Sequence, residues 1–253
     1  MFRFWLHFHP LMVLVALTFV FSVAGALLHW LQCRSPLRHA MKASMLTAAS
    51  FVAVSTLFGL FAGFLLAQVV SQKSTALRAV QTESAALQTL AIDGAASQGG
   101  EAIRAAISGY TRSVIADEWP RMLNESGSDK TQAALFTLIR AVRDGGGAGP
   151  VHTQMLTLAQ KVADARAERI AIVSNHLQQF AWSALFLLGF VTQFGLGMAH
   201  VDRPGANAMS IAFFSIGAVV ALWLIATQDN PFRGPNPVSP APFNAVTAAL
   251  GAG

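Results

Sequence analysis

Four long stretches without one formally charged side chain constrain this sequence more than any motif in it. Thirty residues free of Asp, Glu, Lys and Arg separate Arg3 from Arg34, and 30 more separate Lys42 from Lys73. Ile170–Val201 adds 32 and Pro204–Gln228 another 25. A bilayer core about 30 Å thick takes roughly 20 apolar helical residues, so each window holds one span. A water-soluble helical bundle has little use for one such run and none for four. Only 11% of the chain is charged, against about a quarter in ordinary globular domains, and the deficit lies in these windows. The spans are expected near Leu11–Leu31, Met45–Val70, Phe180–Ala199 and Asn207–Thr227. In lipid the backbone must satisfy its own hydrogen bonds, so all four are helices. The first is too long, and lacks the small-residue cleavage site, for a secretory signal peptide. Trp5, Trp30, Trp182 and Trp223 fall near span ends, where indole rings favour the headgroup level.

The expected fold class is an all-α membrane protein, with four spans and a helical domain inserted between the second and third. Residues 1–70 carry spans one and two, 71–178 the soluble helical domain, 179–227 spans three and four, and 228–253 a Pro-rich C-terminal strap. Four spans put both termini and the inserted domain on one side. That side carries Arg3, Lys73, Arg78, Arg166, Arg169 and Arg233 beside the spans, against Arg34, Arg38 and Lys42 in the first short loop. The positive-inside rule then places the domain and termini in the cytoplasm. Between Lys73 and Arg169 the charges nearly balance, 11 basic against 10 acidic, which offers no nucleic-acid-binding surface. Cys33 is the only cysteine; it cannot form an intrachain disulfide and reads as an interfacial thiol, palmitoylation being the alternative.

Within the domain, Lys73–Leu90 has no Pro or Gly, so that helix continues straight out of the second span. Gly94–Gly100 breaks it. Ile103, Ile107, Tyr110 and Val114 recur at helical spacing, as do Leu135, Leu138, Ile139 and Val142, then Met155, Leu158, Val162 and Ala165. Pro120 is expected to bend or end its helix. Asp129 with Gln132 resembles a capping box, and the glycines Gly145–Gly149 before Pro150 read as a linker. From Val151 nothing interrupts the helix before Gly189. The prolines between Gln228 and Phe243 imply an extended strap lying on the domain.

No catalytic constellation stands out: there is no Walker-type loop, no Gly-x-Ser-x-Gly elbow and no His-Glu-x-x-His. His7-x-His9 is half a metal site at best, and interfacial histidines are the simpler reading. Adjacent Asp117 and Glu118 could serve as acid and base, but an exposed acidic helix end is the simpler reading. The expectation is a protein that is not an enzyme, without cofactor or metal. The span interiors hold no acid of the kind proton-coupled transporters use. A pore lined by apolar and small polar side chains remains open: Thr56, Leu60 and Phe64 share one narrow face of the second span. Gly59 and Gly63 beside them permit close helix approach. Ordinary bundle packing explains the same pattern.

Several motifs together resemble the bestrophin-like domain-of-unknown-function family of bacterial and plant membrane proteins. They are Phe58-Gly59-Leu60-Phe61-Ala62-Gly63-Phe64, Glu83, and Tyr110 followed by Val114-Ile115-Ala116-Asp117-Glu118-Trp119-Pro120. Asp164-Ala165-Arg166-Ala167-Glu168-Arg169 follows, then Asp229-Asn230-Pro231-Phe232-Arg233-Gly234-Pro235 and Val238-Ser239-Pro240. The resemblance runs from about Phe51 to Phe243, and more distantly to bestrophins, which are pentameric ion channels. It implies a homo-oligomer in the bacterial inner membrane, with the lipid bilayer and small inorganic ions as its partners. It also implies a pore narrowed at Thr56, Leu60 and Phe64. Glu83, Glu118, Asp164 and Arg169 are then expected in a buried ion-pair network, with Trp119 and Pro120 in the same motif. Asp229, Asn230, Pro231 and Gly234 would dock the tail by inserting Phe232 into an apolar notch. Val80-Gln81-Thr82-Glu83 stands where bestrophins have a Trp-rich stretch, and the acidic cluster that clasps calcium in animal bestrophins is lacking. A non-conducting membrane scaffold or signal-coupling protein is the alternative function.

Overall fold

A computed structural model describes residues 9–36, 48–124, 126–145, 147–174, 179–233 and 235–251. Arg3, Trp5, His7, Arg38, Lys42 and Gly234 lie outside the described residues, as does the start expected for the second span at Met45. The chain divides into two units. One comprises Met1–Val70 and Leu177–Asp229, the other Ser71–His176 and Asn230–Gly253.

The first unit holds helix α1 (Pro10–Cys33), the N-terminal part of α2 (Ala48–Ala95), and two further helices met at the far end of the chain. Each is long and apolar enough to cross a membrane. Its core gathers Leu17, Phe21, Phe58, Leu65, Val69, Leu185 and Leu222. Phe21 is fully buried, with Phe190 stacked 5.4 Å away and Phe186 at 6.3 Å.

The second unit continues α2 and adds α3 (Gly100–Ser113), a π-helical turn (Val114–Glu118) and the short α4 (Trp119–Met122). After these come α5 (Asp129–Gly145) and α6 (Pro150–Ser174). Gly147 and Gly149, between α5 and α6, take φ of 71° and 122°, left-handed values that glycine adopts without steric cost. Of the residues that periodicity marks, Ile103, Ile107, Tyr110, Val114, Leu138, Val142, Met155 and Val162 are fully buried and Leu135 and Ala165 nearly so, while Ile139 and Leu158 are half-buried at the edge of the core.

The first unit is completed by α7 (Gln179–Met198) and α8 (Pro204–Gln228), and the second by α9 (Ala241–Gly251). Residues 175–178, between α6 and α7, lie outside the described residues, so the expected uninterrupted helix from Val151 to Gly189 is described only on either side of them.

Three local expectations need correction. Pro120 does not end its helix; the chain widens into a π turn and runs on to Met122. A π turn accommodates the proline because it displaces the i→i−4 ladder that the missing N–H would break. The cap of α5 is Ser128, whose Oγ accepts from Thr131 N at 3.4 Å, while Asp129 is the first helical residue. The tail is non-helical only as far as Pro240. Pro242 falls in the first turn of α9, where no N–H is required of it.

Candidate functional site

Two groups of sequence-predicted residues lie in separate units. In the first unit, α2 buries Phe58, Ala62, Leu65 and Val69 against its neighbours, spaced by four, three and four residues. Thr56, Leu60 and Phe64 occupy the opposite face, with Leu60 67% and Phe64 66% exposed. Thr56 Oγ1 donates to Val52 O at 2.8 Å. A Cβ added to Gly59 or Gly63 would meet nothing within 4 Å. Within one chain these glycines approach no other helix among the described residues, because they sit on the exposed side of α2.

In the second unit, α2, α3, the π turn and α6 converge on buried charge. Glu83 and Arg169 are completely buried. Arg169 donates from Nε to Glu83 Oε2 at 2.9 Å and from Nη2 to Glu83 Oε1 at 3.0 Å. The two planar groups thus meet through parallel bonds, the strongest ion-pair geometry. Tyr110 Oη also donates to Glu83, at 2.5 Å. Glu118, the last residue of the π turn, is equally buried. It accepts from Arg166 Nε at 3.0 Å and lies 3.9 Å from Arg169 Nη2.

Trp119 and Phe243 complete the shell. The guanidinium carbon of Arg169 lies 5.7 Å from the Trp119 ring and 5.6 Å from the Phe243 ring. Cations attract aromatic faces at such distances. Phe232 meets Trp119 edge-on at 5.5 Å. Around it the strap is ordered by Asn230 Oδ1, which accepts from Phe232 N at 2.9 Å, and by Val238 N, which donates to Pro231 O at 2.9 Å. Asp229, buried at the end of α8, closes the first unit.

Burial raises the Tyr110 phenol well above its ordinary value, and the adjacent Glu83 charge adds to the rise. For Arg169, burial works against the charge, but the Glu83 carboxylate and its hydrogen bonds outweigh it and hold the guanidinium above its usual range. Both effects favour the observed arrangement, a neutral phenol and a charged arginine sharing one carboxylate.

Asp164 does not join this network. It is exposed and accepts from Gln160 Nε2 at 2.9 Å, because the face of α6 that enters the core carries Met155, Ala159, Val162, Arg166 and Arg169. Arg166 takes part instead, contacting Glu118, Gln132 Oε1 and Ser128 O. Its spacing of three before Arg169 was the signal: both arginines lie on one helix face. Asp117 and Glu118 are not a working acid pair, since Asp117 points outward to Lys130 Nζ at 3.3 Å while Glu118 is buried. Among the described residues no group of His, Cys, Asp or Glu could hold a metal ion, and His9 Nδ1 accepts from Leu11 N at 3.4 Å.

This architecture is that of an all-helical membrane protein with four candidate membrane helices and a second helical unit bound by buried ion pairs. Residues 12–243 match the Bestrophin-like domain family, to which the chain belongs. No curated protein matches it. Among solved structures, it is similar to a bacterial bestrophin homolog from Klebsiella pneumoniae solved by Zn-SAD phasing, with TM-score 0.69 and 15% identity over 95% of this chain and 96% of that one. Two point mutants of that homolog give TM-scores of 0.74 and 0.69, again at 15% identity, covering 94% and 95% of this chain and 96% and 97% of theirs. At such identity the likeness establishes the fold.

Proposed function

We propose that the chain is one subunit of a homo-oligomeric ion channel, pentameric by analogy with bestrophins, that conducts small inorganic ions passively. The outward face of α2 carries this reading. Leu60 and Phe64 are large apolar side chains about two-thirds exposed, and Thr56 lies one turn before Leu60. Copies of α2 set around an axis would bring these side chains together as successive rings, a constriction that gates by excluding water. One four-helix bundle has no room for such a pore, so several subunits must share it.

The setting is the bacterial inner membrane, with the termini and inserted domain cytoplasmic. Arg166 and Arg169 are engaged by buried carboxylates, so they no longer count as charges flanking the spans. Arg3, Lys73, Arg78 and Arg233 remain, against Arg34, Arg38, Lys42 and Arg203, an even count under the positive-inside rule, so the orientation rests on the likeness to bestrophins, whose helical domain is cytosolic.

Planar-bilayer recording of the purified protein tests the proposal. The expected result is a steady conductance that rises in Leu60→Ala and Phe64→Ala. Silence in all three, from a particle with the mass of a monomer or dimer, would favour a scaffold or signal-coupling role instead.

A further inference from the structure

Within the first unit, α1 and α8 cross with very little separation at one point and leave a cleft elsewhere along their length. At Gly25 an added Cβ would lie 2.8 Å from Ile211 Cγ2, so glycine is what permits the approach. Around it opens a cavity of about 560 Å3, lined by Leu14, Phe21, Ala26, His29, Ala212 and Val220 among others. From Leu14 to His29 the α1 wall runs about 22 Å at 1.5 Å per residue, longer than the roughly 15 Å of hydrocarbon in one leaflet and so long enough to seat a whole acyl chain. The surroundings are apolar: Val15, Phe19, Val23 and Leu27 of α1 and Met209, Phe213 and Ile216 of α8 are all exposed. The cavity therefore opens towards hydrocarbon rather than water.

One end is polar. Asn207 Nδ2 donates to Gln32 Oε1 at 2.9 Å and to Gly197 O at 2.7 Å, which fixes its Oδ1 as an acceptor. His29 Nδ1, 2.7 Å from that oxygen, must then carry the hydrogen, so Nε2 of the neutral ring is an acceptor and offers no donor to a phosphate. Arg34 follows the last residue of α1, and Arg203 immediately precedes α8. Both are exposed, and each lies five residues, or about 7 Å along a helix axis, from the His29 and Ala208 walls of the cleft. The positive end of α8 points the same way.

We infer that this cleft holds one anionic phospholipid, its acyl chain between α1 and α8 and its phosphate at the end marked by Arg34 and Arg203. The inference does not depend on conduction. Apolar length alone would accept any lipid; Arg34, Arg203 and the helix end outweigh the single acid beside them, Asp202, and select negative charge, and the polar end sits at the depth of a headgroup.

The test is native mass spectrometry of the full chain in detergent, equilibrated separately with palmitoyl-oleoyl phosphatidylglycerol and with the matching phosphatidylcholine. The wild type is expected to retain one phosphatidylglycerol per chain in preference to phosphatidylcholine. Ala26→Phe with Ala212→Phe, both exposed on the cleft walls, fills the groove and is expected to cut retention at least tenfold at unchanged melting temperature. Arg34→Gln with Arg203→Gln is expected to lower the phosphatidylglycerol preference about fivefold per arginine, and this exposed pair decides the matter even if the filled variant fails to fold. Equal retention of both lipids by the wild type, or an unchanged preference in the arginine variant, overturns the inference. So does a filled variant whose particle mass changes while its lipid count does not, since a second copy of the chain would then cover the cleft.

Discussion

Removing Arg169 tests the ion-pair core most sharply. The side chain is fully buried, bonds Glu83 through two nitrogens at 2.9 and 3.0 Å, and lies 3.9 Å from Glu118. In Arg169→Ala the Glu83 carboxylate stays buried with only the Tyr110 hydroxyl from this network as donor. Breaking one side of a buried ion pair costs about 3–5 kcal/mol. At about 2–4 °C per kcal/mol for a chain of this size, the melting temperature should fall by roughly 6–20 °C. Arg104 is the control. It is half-buried and donates to Leu250 O, a contact of about 1 kcal/mol that sets a loss of roughly 2–4 °C. A double-mutant cycle makes the argument quantitative. Glu83→Ala should cost little more in the Arg169→Ala background, leaving a coupling energy near the upper end of the roughly 0.5–3 kcal/mol seen for contacting residues. Melting temperatures are read by differential scanning fluorimetry in detergent. Equal losses in Arg169→Ala and Arg104→Ala, or an additive cycle, would refute the claim that this pair anchors the second unit.

Tyr110 is the only tyrosine in the chain, so phenolate absorbance near 295 nm reports it alone. Its raised pKa means that the folded state favours the protonated phenol: that contribution to stability is complete below about pH 10, where a free phenol ionises, and is lost as the pH climbs beyond it. The native protein should therefore show no ionisation step at pH 10 and acquire one on unfolding; a step in the native protein at pH 10 would contradict the burial argument. Phe232 is 2% exposed against Trp119, and Phe232→Ala removes a buried ring worth about 3–5 kcal/mol. Amide exchange at Val238, whose N–H bonds Pro231 O, should accelerate at least tenfold by mass spectrometry, and unchanged exchange would show that the strap is held by something else.

The spans and buried stripes were legible because they are written in periodicity and in the absence of charge, which the solvent enforces residue by residue. Ile103, Ile107, Tyr110 and Val114 follow the 3.6-residue period and are all fully buried. The ion-pair partners were only half legible. Glu83 and Arg169 are 86 residues apart, and nothing local says that they meet. Arg166 read as a charge flanking a span because arginine is usually solvated, whereas it lies over Glu118. Asp164 stood in the same motif and faces outward. The π turn left no mark on the periodicity, since one extra residue per turn shifts the register only from Glu118 onward. Proline misled in the tail as well: Pro242 counted against a helix that it instead opens. The α2 face was visible as a spacing of four residues, but its exposure became clear only from the burial of Phe58, Ala62, Leu65 and Val69 opposite it.

The central claim, that the exposed α2 face meets water in a shared pore and not lipid, comes down to one accessibility measurement. Cys33 is the only native cysteine, so in a Cys33→Ser background single cysteines at Leu60, Phe64 and, as a lipid-facing control on α8, Phe213 can be challenged with a charged, water-soluble thiosulfonate during current recording. The account predicts that Leu60→Cys and Phe64→Cys react and lose current while Phe213→Cys does neither. Reaction at none of the three, with current undiminished throughout, would place the α2 face in the bilayer and contradict the account.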